Sequence, residues 1–174
     1  MASFVATDAS VAVDIEDQAL SAMYRAARRA GRQETGGILV GRYTEFGDRV
    51  RVVEATGAPS DSRSFPAAFV RGVVGLTHRL RAAWHRGLYY VGEWHCHPYA
   101  SPQPSRRDLA QILAFSRDGQ YRCPRPVLII IGGDPQQPAA SVHVVLDRGV
   151  ETMQEGVSLA SVTGQPALEH SRGQ

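Results

Sequence analysis

The sequence predicts one α/β or α+β domain, built as a mixed central β-sheet flanked by helices. Three observations predict it. Short apolar, β-branched runs recur at residues 35–43, 88–97 and 127–131. Stretches with helical apolar spacing alternate with them, at 17–31, 69–85 and 105–117. The length, 174 residues, suits one domain with a real hydrophobic core.

Residues 3–15 read as an extended segment in which Val5, Val11, Val13 and Ile15 partly alternate. Residues 17–31 read as a helix. Asp17 can cap it, Leu20, Met23, Tyr24 and Ala27 form its apolar stripe, and Gly31 can end it. Residues 35–43 are apolar and bounded by turn residues, as in a buried strand. A turn at Phe46-Gly47-Asp48 leads to an alternating strand at 49–55. Residues 58–66 are polar and read as a loop. Residues 69–85 read as a helix with Val73, Val74, Leu76, Leu80 and Trp84 apolar. A strand at 88–97, a Pro-rich loop at 98–104 and a helix at 105–117 follow. Val127 to Ile131 is a fully apolar central strand, and 140–146 another. There is no internal repeat. Periodicity is lost after Gly156, so residues 1–155 are expected to form the domain and 156–174 a flexible tail.

Bulk properties exclude several classes. A hydrophobic fraction of 43% and a charged fraction of 21% are ordinary for a soluble globular protein. The formal net charge of +2 is too small to point to nucleic acid. No apolar run approaches the roughly 20 residues of a membrane helix. The N-terminus mixes apolar residues with Asp8 and Asp14 and has no basic region, unlike a signal peptide. Cys96 and Cys123 make no disulfide framework. A cytoplasmic, reduced protein is expected. All 19 basic residues are Arg. Codon bias of a GC-rich genome explains that. So does selection for a chain without Lys amines.

The chemistry gathers between Glu93 and Asp108. Alternate side chains on a strand share a face, so His95 and His97 point the same way. Two such imidazoles can hold one metal at about 2.0–2.1 Å each. Pro98 ends the strand, and the loop returns the chain to Ser105-Arg-Arg-Asp108 in the first turn of a helix. Asp108 can supply a third, carboxylate ligand. Two His and one carboxylate leave a position open for water, the pattern of a catalytic zinc. Each piece also has a plain reading. A lone His-x-His is often just polar surface. Ser-x-x-Asp opening a helix is usually a cap. Glu34 by itself is a surface carboxylate.

Together, Glu34, His95-x-His97-Pro98 and Ser105-x-x-Asp108 resemble the JAMM (MPN+) metallopeptidase family. Seven residues separate His97 from Ser105 and two separate Ser105 from Asp108, as in the family pattern. Glu34-Thr-Gly-Gly-Ile-Leu-Val-Gly41 and Val91-Gly-Glu-Trp-His95 resemble its flanking sequence. The resemblance covers roughly residues 17–146. It implies a single MPN-like domain with one catalytic Zn2+ at the edge of the central strands, held by His95, His97 and Asp108. It implies Glu34 as general base and proton donor to the leaving amine, and Ser105 as oxyanion partner beside its capping role. It also implies cleavage after the C-terminal glycine of a ubiquitin-like protein.

Two positions depart from the pattern. Position 96, more often Ser or Thr in the family, is Cys; it is expected to be a small buried residue facing away from the two His. Glu93 shares the face of both His residues. It is expected either to orient an imidazole from outside the metal shell or, less favoured by the spacing, to replace Asp108 as ligand.

The Gly-Glu-Trp-His-x-His-Pro string resembles bacterial stand-alone members of the family. Some of these accompany E1-like and E2-like proteins in ubiquitin-like conjugation, including antiphage systems. The expected partners are therefore a ubiquitin-like protein, its conjugates and such operon proteins, with no nucleic acid and no membrane. Arg63, Arg106 and Arg107 flank the expected cleft, either as partner contacts or as solvated charges. Two further readings remain: a processing peptidase for a ubiquitin-like or sulfur-carrier precursor, and a non-catalytic MPN scaffold.

Overall fold

Alternation along the strands decides which side of the sheet each residue joins, and so where the helices lie. The computed structural model describes residues 1–44, 46–123 and 125–156. In chain order the elements are β1 (Ala2–Val5), β2 (Ala12–Ile15), α1 (Asp17–Ala30), β3 (Thr35–Tyr43), β4 (Arg49–Ala55), β5 (Arg63–Phe65), β6 (Ala68–Val70), α2 (Leu76–Trp84), β7 (Tyr89–Pro98), α3 (Arg106–Arg117), β8 (Val127–Asp134), β9 (Gln137–Leu146), β10 (Gly149–Thr152) and β11 (Gln154–Glu155). Nine strands form one mixed sheet in the order β10-β9-β8-β7-β3-β4-β2-β1-β11. A separate β5-β6 hairpin stands beside it.

On β8, Val127, Ile129 and Ile131 face one side and pack with Ala19, Met23 and Ala27 of α1. Leu128 and Ile130 face the other side and meet Ile112 of α3. Ile38, Val40 and Tyr90 share that second side with Ala83 of α2. The expected mixed sheet between helices is therefore observed. β3 runs antiparallel to β7, with Gly36 opposite His95, and β7 runs parallel to β8.

Several boundaries differ from expectation. The extended segment at 3–15 is two strands, β1 and β2, paired as a hairpin. The cap of α1 is Glu16, without a side-chain cap bond; Asp17 is the first helical residue, and its carboxylate pairs with the Met1 ammonium at 2.6 Å. The helix expected over 69–85 begins only at Leu76. Its first part is β6, whose partner β5 lies in the expected loop. Asp61 accepts the backbone N–H groups of Val73 and Val74, each at 3.0 Å, and holds them in a turn. Gly75 then adopts φ 79°, which ends that turn before the helix starts. Val73, Val74 and Trp84 stay exposed, so their helical spacing was not a core stripe. The strands β10 and β11 were not expected. The flexible tail expected at the C-terminus lies, from residue 157 on, outside the described residues. Among the described residues, no helix is long and apolar enough to cross a membrane.

Candidate metal centre and active site

Glycine makes room for the site. A Cβ at Gly36 would lie 2.4 Å from the Trp94 carbonyl oxygen and 2.9 Å from the His95 ring, so only Gly allows β3 this close to β7. His95 is thereby buried at 4% exposure, and Phe69 of β6 packs edge-on against it at 5.7 Å. His97 sits two residues on, near the strand's end. Cys96 faces the opposite core with Trp94 and Ile131, as expected. Burial first, then the nearby Glu34 charge, push its thiol up to about 11, which suits an inert residue.

Asp108 arrives from α3. Ser105 caps that helix: its Oγ accepts the Asp108 N–H at 3.2 Å, and Asp108 Oδ2 accepts the Ser105 N–H at 2.7 Å. The Ser105 hydroxyl also donates to Oδ2 at 2.7 Å. Asp108 Oδ1 lies 2.7 Å from His95 Nδ1, and Oδ2 lies 3.3 Å from His97 Nε2. The capping reading and the ligand position are thus the same geometry. The cap fixes the carboxylate, and the fixed carboxylate reaches both imidazoles.

Candidate ligand atoms of His95, His97 and Asp108 all lie within 4.8 Å of one another. His97 Nδ1 lies 3.1 Å from the Gln103 carbonyl, which only accepts, so Nδ1 carries a hydrogen; Nε2 faces Asp108 and offers its lone pair to a metal once it gives up its proton. His95 Nε2 is the one buried side-chain N or O without a hydrogen-bond partner among the described residues. Two carboxylates, Glu34 and Asp108, also leave the cleft with negative charge that a divalent cation neutralises. The residues therefore fit a metal ion, and two imidazoles with one carboxylate suit a first-row divalent one.

Charges within the cluster follow the same logic. Burial opposes the Asp108 charge, but the bonds from His95, His97 and Ser105 outweigh it and hold the carboxyl far below its ordinary range. The bond to Asp108 raises His97, against burial. Burial raises the Glu34 carboxyl; the neighbouring His97 opposes this and the Asp108 charge adds to it.

Glu34, His97, Ser105 and Asp108 line one cleft of about 220 Å³. Pro66, Ala67 and Ala68 of the β5–β6 hairpin form one wall, Pro98 and Ala100 the other, and Arg107 stands at the edge. The hairpin also anchors Glu34, whose backbone N–H donates to the Phe65 carbonyl at 2.8 Å. Arg63 and Arg106 are exposed and do not line this cleft. Glu93 departs from both expected roles. It bonds neither imidazole; Arg71 Nε donates to its Oε2 at 2.8 Å and the Tyr90 hydroxyl to its Oε1 at 2.9 Å. Sharing a strand face with the His residues was not enough, because Arg71 reaches the carboxylate first. Phe69 and Arg71 carried no signal in the sequence as site neighbours, since their spacing imitated a helix.

Comparison with known proteins identifies the family. Residues 16–145 match the model of the prokaryotic homologs of the JAB domain. The chain belongs to that family, as the motif implied. It is 43% identical over 133 residues to a CD-NTase/cGAS isopeptidase of Enterobacter hormaechei, covering 76% of this chain and 74% of that protein. It is 27% identical over 128 residues to a probable metalloprotease of Sinorhizobium fredii, covering 70% and 76%. The solution structure of a Desulfitobacterium hafniense protein shares the fold, with TM-score 0.62 and 21% identity over 82% of this chain and 90% of that one.

Proposed function

We propose that this protein is a zinc-dependent isopeptidase that cuts after the C-terminal glycine of a ubiquitin-like protein joined to a target amine, within a bacterial conjugation system of antiphage defence. The observation that carries the chemistry is the convergence of His95, His97 and Asp108, with His97 and Asp108 opening onto the same cleft as Glu34. The similarity to a CD-NTase/cGAS isopeptidase supports an isopeptide as the scissile bond, and a conjugate containing a CD-NTase as the first substrate to try. E1-like and E2-like proteins would be its operon partners.

His95, His97 and Asp108 would hold the metal, which when bound would supply Lewis-acid polarisation and an acidified water. Glu34 accepts a proton from the attacking water, whose oxygen bonds to the glycine carbonyl carbon. The C–N bond then breaks, and Glu34 returns the proton to the departing amine. Ser105 donates to the carbonyl oxygen as it becomes an oxyanion. Its proton is committed to Asp108 in this structure, so the hydroxyl must turn toward the cleft. The small Pro and Ala side chains of the two walls admit an extended tail without side chains at the scissile position.

Purified Glu34→Gln protein should still bind one zinc but lose on the order of 10² to 10⁴ in rate on a Lys-linked conjugate. Zinc-loaded Glu34→Gln protein of undiminished activity would overturn the mechanism. Wild type that cleaves only a linear fusion, and no Lys-linked conjugate, would instead favour precursor processing.

A further inference from the structure

The six-residue loop at 99–104 joins the strand bearing His97 to the cap that fixes Asp108. Its conformation therefore sets the distance between ligands. Its Gln103 carbonyl orients His97, at 3.1 Å from Nδ1. The adjacent Pro102 carbonyl accepts the hydroxyl of Ser141, which lies on β9 outside the cleft. That bond uses the only proton of the Ser141 hydroxyl, so Ser141 Oγ must accept from His143 Nε2–H, 2.7 Å away. The other ring nitrogen, Nδ1, then accepts the Thr152 hydroxyl at 3.0 Å. The chain of donors runs one way, from Thr152 through His143 and Ser141 to the loop. His143 is 1% exposed, burial lowers its pKa, and in the neutral form both ring nitrogens have a partner.

Backbone contacts hold the same loop on β8. Tyr99, at φ 59°, donates its N–H to the Gly133 carbonyl at 2.8 Å, and Gly133 N–H donates to the Ala100 carbonyl at 2.7 Å. A Cβ at Gly132 would lie 2.5 Å from Pro102 N, so the loop is seated directly on the strand. Pro102 and Pro104 have no N–H to give, so at Pro102 the carbonyl is the only backbone group that can be gripped.

We infer that Ser141 and His143 are positioning residues for the metal centre, acting through the Pro102 and Gln103 carbonyls on His97 and Asp108. This rests on the metal reading above and extends it two bonds beyond the ligands. Partners outside a metal shell typically contribute about 10- to 100-fold in metal affinity.

The test is zinc affinity of the full chain, measured by competition with a chromophoric chelator, beside thermal unfolding of the metal-free protein. Ser141→Ala should weaken zinc binding about tenfold or more, and Ser141→Thr, which keeps the hydroxyl, should restore most of it. Val142→Ala is the control: Val142 sits on the same strand but faces the opposite core. It should lower the melting temperature and leave zinc affinity unchanged. Wild-type zinc affinity in Ser141→Ala, or an equal loss in Val142→Ala, would overturn the inference while leaving the metal site standing. A wild type that bound no zinc would overturn both.

Discussion

The strand β7 carries two buried clusters of ionisable groups two residues apart, and they are built on opposite terms. Around Glu93, each carboxylate oxygen has a donor, and the Arg71 and Glu93 side chains are 5% and 2% exposed. Around His95, a ring nitrogen is left without a partner, two carboxylates face two imidazoles, and a cleft opens on the group. The first cluster is electrically closed and serves to tie the segment after β6 onto the sheet. The second is incomplete as protein alone. Buried polar groups are normally satisfied, so the unsatisfied one marks where something else binds. Residue type and depth are similar in both places; completeness separates structure from function.

The sharpest test of that contrast removes one member from each cluster. His97→Ala should abolish stoichiometric zinc binding and cut isopeptidase activity by more than about a hundredfold, beyond the loss from disturbing an outer partner. Its metal-free unfolding free energy should stay within about 1 kcal/mol of wild type, a typical effect for a single substitution. Arg71→Ala should do the reverse. It strands a buried carboxylate and should cost about 3–5 kcal/mol of stability in urea unfolding. Arg71→Met combined with Glu93→Leu should recover most of that loss. If the double variant is as unstable as the single one, the Arg71–Glu93 pair is not the reason for the loss.

A smaller effect concerns acid. Hydrogen bonds hold the Asp108 carboxyl below its ordinary value of 3.8, so its charge stabilises the metal-free fold above that pH. The contribution is lost as pH falls toward the lowered folded value. Burial raises Glu93 above its ordinary 4.5, so its contribution has the opposite sign: it is present below that value and is lost as pH rises above it. Urea unfolding in chelator at pH 5 and pH 3 should therefore show a shallower acid loss in Asp108→Asn than in wild type. Equal slopes would mean that the Asp108 bonds do not survive without metal.

Much of this was legible in the sequence, for physical reasons. Strand alternation put His95 and His97 on one face and Cys96 on the other, because the period of two is a property of the backbone. The capping motif put Asp108 in the first turn of α3, because orphan amides there call for a side-chain acceptor. The apolar runs at β3, β7 and β8 specified a sheet buried on both faces. What the sequence misjudged were sites decided by long-range partners. Val73, Val74 and Trp84 have helical spacing, yet Asp61, some twelve residues upstream of the Val pair, captures the chain in a turn first. Glu93 has the right face for an imidazole, yet Arg71 from another segment claims it. Spacing fixes the direction of a side chain, whereas its partner depends on which distant segment folds against it. For that reason the clustering of His95, His97 and Asp108 could be read from the sequence alone, while the β5–β6 wall, the closed Arg71–Glu93 pair and the grip of Ser141 on the loop were settled only by the tertiary structure.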